Sequence, residues 1–175
     1  MKKIKVSVKG IAPLLMHRFV GASEDTEKTS KKKKIYIPKD DAEKAAYRNQ
    51  EGKLVLPSTH FKMSLVKAST DFKYEGKKTY KDFVKSGVFI DPLQIVLTPQ
   101  EYQIDTRPVC VQRARIERCR PILENWECSF TITITDENIA SGILKEILET
   151  SGLYKGVGDN RPEYGRFEIT KWEEV

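Results

Sequence analysis

Polar and apolar positions alternate without a break from Lys3 to Lys9, with Ile4, Val6 and Val8 on one side and Lys3, Lys5, Ser7 and Lys9 on the other. A period of two marks a strand buried on one face, and the pattern predicts one over residues 3–10. The segment 11–19 leaves it as an apolar run broken by Pro13. From Val20 to about Lys34 apolar residues all but vanish, so this stretch cannot pack a core and predicts a flexible insertion over about 20–48, with a short helix over 40–47. Residues 53–56 read as a short strand stopped by Pro57. Ser58 is then placed to cap a helix carrying Phe61, Leu65, Ala68 and Phe72 at helical intervals. Residues 87–90 and 94–97 bracket Asp91 and Pro92 as the two strands of a hairpin. Longer strands follow at 102–111 and 126–135, the second alternating Phe130, Ile132 and Ile134 with Ser129, Thr131, Thr133 and Thr135. Asp136 is placed to cap a second helix with Ile139, Ile143, Leu144, Ile147 and Leu148 inward, and Gly152 to end it. A last strand turns Phe167 and Ile169 to one side.

The longest elements thus run β-α-β-β-α-β, which predicts an α+β, ferredoxin-like fold: two helices on one face of a four-stranded antiparallel sheet. The opposite, open face is expected to gather Lys3, Lys5, Lys9, Thr131, Thr133, Arg166 and Thr170, a partly cationic surface almost without aromatics. Common RNA-recognition modules stack bases on sheet aromatics carried by an RNP1 signature. That signature is absent here, so RNA binding by this chain would need another surface.

Composition narrows the class. A chain of 175 residues fits one domain. It holds no apolar run of 18 residues and opens on an alternating strand, so a soluble, cytoplasmic protein with no membrane partner is expected. Cys110, Cys119 and Cys128 are odd in number and lack C-x-x-C spacing, which argues against a disulfide framework or structural zinc; no metal and no cofactor is expected. The net charge of +6 is unevenly spread: residues 1–100 carry 21 Lys and Arg against 11 Asp and Glu, and residues 101–175 carry 10 against 14. The run Lys31–Lys34 is the densest lysine cluster, and arginine gathers at Arg113, Arg115, Arg118 and Arg120. Such clusters attract phosphate-bearing partners, or else form a solvated surface.

The glycine-rich segment 152–169 lies between the second helix and the last strand. Walker and dinucleotide loops leave a strand and open a helix, so that the helix N-terminus faces the anion. Here that order is reversed, and no glycine follows Gly156 and Gly158 at the third fingerprint position, so a mononucleotide pocket is not expected. A loop with Gly156, Gly158 and Gly165 that carries Lys155, Arg161 and Arg166 can instead offer N–H groups and cations to a polynucleotide backbone. Glycines that only shape turns are the alternative.

Three pieces together resemble the RAMP superfamily, ferredoxin-like proteins known as backbone subunits and processing endonucleases of CRISPR antiviral defence. They are the opening strand with the 13–18 segment that follows it, the strand, Pro57, Ser58, Thr59 and helix with the early Lys62, and the loop that ends in Gly165 and Arg166 before an apolar strand. Tyr164, not glycine, precedes Gly165. The resemblance implies a subunit that grips single-stranded RNA or crRNA along its backbone and stacks into a homo-oligomer or filament. By position it places Lys62, Lys155, Arg161 and Arg166 at phosphates. It also implies a hairpin that wedges between bases, its basic tip over about 112–121 carrying Arg113, Arg115, Arg118 and Arg120. Single-stranded DNA as ligand, and a phage rather than a CRISPR setting, stay open.

Candidate chemistry is sparse. Some RAMP proteins cleave RNA with a histidine, and His17, after the first strand, is the candidate general base of a metal-independent endoribonuclease. His60 lies in the first helical turn. Glu24, Asp25 and Glu27 fall in the insertion where target-cleaving relatives carry an acidic residue. No Ser/His/Asp or Cys/His arrangement is evident. The expected function is therefore a non-enzymatic single-strand binder, with the nuclease and a purely structural, phage-encoded oligomer as alternatives.

Overall fold

The computed structural model describes residues 1–19, 37–111 and 113–175. The chain runs β1 (Lys2–Gly10), β2 (Leu14–Leu15), α1 (Pro38–Ala45), β3 (Val55–Pro57), α2 (Ser58–Ala68), β4 (Lys73–Glu75), β5 (Lys78–Thr79), α3 (Lys81–Gly87), β6 (Val88–Asp91), β7 (Gln94–Thr98), β8 (Gln103–Val111), β9 (Ala114–Leu123), β10 (Glu127–Ile134), α4 (Ser141–Thr150) and β11 (Phe167–Glu174). A 3-10 turn, Ser69–Asp71, follows α2, and a π-helical turn, Ser151–Lys155, follows α4.

β1 lies between β10 and β11, antiparallel to both, and β6 pairs with the end of β10, giving the order β11-β1-β10-β6. With α2 and α4 packed on one face this is the expected ferredoxin-like α+β architecture. The alternation of β1 decides which side is covered: Ile4, Val6 and Val8 are buried in register with Ile132, Phe130 and Cys128. Phe61 of α2 closes the middle, its ring 4.7 Å from Phe130 and 5.4 Å from Phe167. Each such buried ring removes enough apolar surface from water to contribute roughly 1.5–3 kcal/mol. Trp126 is buried and donates its indole N–H to the Ala12 carbonyl at 2.9 Å, which ties the exit of β1 to the start of β10.

Several local expectations are corrected. The predicted hairpin of 87–90 with 94–97 does not form: β6 pairs with Thr131–Ile134, whereas β7 pairs with Glu127 and Cys128 on one side and with β3 on the other. Alternation fixes which face a strand buries but not its neighbour. Ser58 is the first helical residue and makes no cap bond, Pro57 preceding it as N-cap. Asp136 binds the Asn138 N–H in a turn, and α4 starts at Ser141. Gly152 does not end the helix. The chain continues through the π turn to Gly156, whose φ of +68° makes the stop. Of the insertion expected at 20–48, its start, with Glu24, Asp25, Glu27 and Lys31–Lys34, lies outside the described residues; its end is α1, which buries Ala42 and Ala45 against β9.

The open sheet face is less cationic than expected. In register, Lys5 stands between Thr131 and Glu173, and Lys9 between Glu127 and Glu168, so acids interleave the lysines. Arg166 precedes β11 and is half-buried, off that face.

Candidate nucleic-acid interface

β8 and β9 form a long hairpin, paired from Gln103–Ile122 to Val111–Ala114, and β2 extends it to three strands. The arginines therefore lie along a strand rather than at a tip. Only Arg113 sits in the turn, with φ +69°, and Arg113 and Arg115 are exposed. Arg118 and Arg120 share one face of β9 and turn back onto the body. Arg118 reaches Asp41 of α1 at 3.8 Å. Arg120, only 11 % exposed at its side chain, binds Asp159 of the glycine loop at 2.6 Å. From β8, Asp105 holds the Arg107 Nε at 2.9 Å, and the Arg107 guanidinium lies 5.0 Å from the Tyr164 ring centroid and donates to the Tyr164 hydroxyl. Hairpin and glycine loop are thus locked together through two arginines.

The loop's own conformation depends on its glycines. Gly158 and Gly165 have φ of +80° and +72°, and a Cβ at Gly165 would sit 1.7 Å from the Val157 carbonyl oxygen. No L side chain fits there. The N–H groups of Gly156, Val157, Asp159, Tyr164 and Gly165 donate to the carbonyls of Ser151, Gly165, Leu15, Asn160 and Pro13. Two of these amides, of Asp159 and Gly165, hold the loop against residues 13–15 and the other three close the loop on itself and on the turn before it, so none of the five is offered to a ligand.

The cations placed at phosphates by resemblance have distinct fates. Lys62 turns inward: its ammonium donates to the carbonyls of Val84, at 2.5 Å, and Val88, and burial lowers its pKa to about 8. Lys155 pairs with Asp71 at 2.9 Å, which holds that carboxyl below its ordinary range. The Arg166 Nε is buried without a hydrogen-bond partner among the described residues. Arg161 is half-buried and makes no ion pair with any described residue. Beside it opens a groove of about 410 Å³ between the glycine loop and α2, lined among others by Lys67, Tyr154, Asn160 and Arg161.

Both histidines lie near Asp159. His17 Nδ1 is 3.6 Å from the carboxylate oxygen that Arg120 also binds. His60 sits edge-on to Tyr47, with ring centroids 5.5 Å apart; burial first, and then the charge of Arg161, lowers its pKa, while Asp159 opposes them. The Tyr47 hydroxyl donates to the His17 carbonyl at 3.3 Å, and burial raises its pKa. A second hollow, of about 280 Å³, is lined by His17, Arg18, Asp41, Lys44, Arg118 and Arg120. Asp159, which joins hairpin, loop and His17, was not singled out in the sequence, where a carboxylate next to Gly158 was the available signal; Tyr164 was noted there only as standing where a glycine was expected. Cys128 is buried, which pushes its thiol up to about 12, and all three cysteines are free thiols. No helix among the described residues is long and apolar enough to cross a membrane.

No protein-family model matches this sequence, and no curated protein does. Among solved structures, the chain is similar to one in a cryo-EM structure of the Type III-B Cmr-beta bound to cognate target RNA, with a TM-score of 0.61 and 10 % sequence identity. The match covers 99 % of this chain and 60 % of the other, so the chain spans about 60 % of the length of that subunit. At this identity the likeness is one of fold.

Proposed function

We propose that the chain is a RAMP-type, non-enzymatic subunit that binds single-stranded RNA without sequence preference and assembles side by side with further copies. The observation that carries this reading is the contact of hairpin and glycine loop through Arg120 and Asp159 at 2.6 Å. It joins the exposed Arg113 and Arg115 on the hairpin to Arg161 on the loop through one continuous body. Phosphate binding by such exposed cations is electrostatic and indifferent to base identity. The similar chain belongs to an assembly described as bound to target RNA, which favours RNA over DNA and a multisubunit setting. Fluorescence anisotropy with labelled 20-nucleotide RNA, DNA and duplex at low salt tests the reading. RNA should bind best, and failure to bind any single strand excludes it. Light scattering should show particles that grow with RNA length; oligomers indifferent to RNA favour the purely structural role instead.

One observation supports a second reading, a metal-independent endoribonuclease. Asp159, fixed by Arg120, lies 3.6 Å from His17 Nδ1, where it can orient the ring and leave Nε2 to take a 2′-hydroxyl proton. Incubating RNA in EDTA with wild type and His17→Ala separates the two readings, because equal inertness removes the enzyme.

A further inference from the structure

The π-helical turn mounts an aromatic side chain that the fold does not use. The Ser151 hydroxyl bonds the Ser64 hydroxyl at 2.8 Å, both fully buried, and pins the turn to α2. Gly152 is pressed on β11, where a Cβ would come within 2.2 Å of the Phe167 carbonyl oxygen. Held from both sides, the turn projects Tyr154 outward: it is 67 % exposed and has neither a ring contact nor a hydrogen bond with any described residue. π turns of this kind concentrate at functional sites.

The neighbouring charges give that ring a context. Lys155 is taken up by Asp71, and Asp159 is bound from behind by Arg120. This leaves Lys67, exposed on α2, and Arg161 as cations without an ion-pair partner among the described residues, in the same groove as Tyr154. An exposed aromatic on a rigid mount beside two uncompensated cations matches a nucleotide's two halves, base and phosphate. The groove is open, and the amides of Gly156, Val157, Asp159, Tyr164 and Gly165 are committed within the fold, so it suits a passing strand better than a captured mononucleotide.

We infer that this groove seats one nucleotide of the bound single strand, its base stacked on Tyr154 and its flanking phosphates held by Lys67 and Arg161. The inference rests on the RNA-binding reading above. Anisotropy titrations of the full chain and of Tyr154→Ala, Tyr154→Phe, Lys67→Ala and Arg161→Ala, against a 15-mer oligouridylate and an abasic strand of equal length, test it. Tyr154→Ala should weaken oligouridylate binding on the order of tenfold, in line with measured base–aromatic stacking. Tyr154→Phe should bind like wild type, and the abasic strand should not distinguish the three. Lys67→Ala and Arg161→Ala should weaken both strands alike and reduce the salt slope by about 0.7 each. Melting curves confirm that each variant folds. If wild type binds oligouridylate and Tyr154→Ala binds it equally well, or loses the abasic strand to the same degree, the stacking site is wrong while the RNA-binding reading stands. If wild type binds neither strand, the RNA-binding reading itself fails and the groove goes with it.

Discussion

A lysine early in a helix has two uses, to meet a ligand or to satisfy the structure, and Lys62 does the second. Its ammonium closes the end of α3 through the carbonyls of Val84 and Val88. Lys62→Ala should therefore lower folding stability by about 1–2 kcal/mol, by unmaking those bonds, and leave RNA affinity unchanged; a denaturant melt beside an anisotropy titration checks both. His60 gives the pH dependence. Its folded pKa lies below the unfolded value, so the unfolded chain takes up the proton first and stability falls as pH drops through and below about 6.5. Melting temperatures at pH 7.5 and 5.5 should differ by less in His60→Gln than in wild type. None of this was legible at the residue scale, because the partners of Lys62 lie 22 and 26 positions away and those of His60 come from other elements.

Elements were easier to read than their neighbours. The alternation of β1 and β10 and the helical spacing of Phe61, Leu65 and Ala68 give the right faces, because burial follows local periodicity. Partner strands, helix starts and the arginine-bearing strand β9 escaped. The arginines of β9 mask its alternation: Arg120 is drawn inward to Asp159, and the exposed Arg118 reaches back to Asp41. Glycines sort by the same logic of context. Gly165→Ala brings a Cβ into the Val157 carbonyl and should cost well over 2 kcal/mol, or prevent folding, whereas Gly142 in α4 meets nothing within 4 Å, so Gly142→Ala should stabilise by roughly 0.5–1 kcal/mol. Thermal melts of the two variants should move in opposite directions.

For the whole molecule, net charge predicted a polyanion partner but not where it would lie. Of the lysines of the first portion, Lys5 and Lys9 meet acids across the sheet, Lys62 turns inward, and Lys31–Lys34 fall outside the described residues. Lys73, Lys77, Lys78, Lys81 and Lys85 stand exposed on and just before α3, not on the hairpin or the glycine loop; Arg120 and Lys155 are spent on internal pairs. On the hairpin and beside the glycine loop, the cations without an ion-pair partner among the described residues are Arg113, Arg115, Lys67 and the half-buried Arg161, about four charges. Four contacts imply a salt slope near −3 and roughly a 50-fold loss of affinity between 50 and 200 mM salt, whereas use of every lysine in the first portion would give a far steeper line.

β11 forms the border of the main sheet, and its outer stretch ends in Lys171, Glu173 and Glu174. A rim charged in this way discourages another backbone from zipping onto it. Copies of the chain laid in a row would therefore have to meet through side-chain surfaces rather than by prolonging one ribbon from molecule to molecule, which leaves each free to be added or removed without tearing a shared hydrogen-bonded ladder.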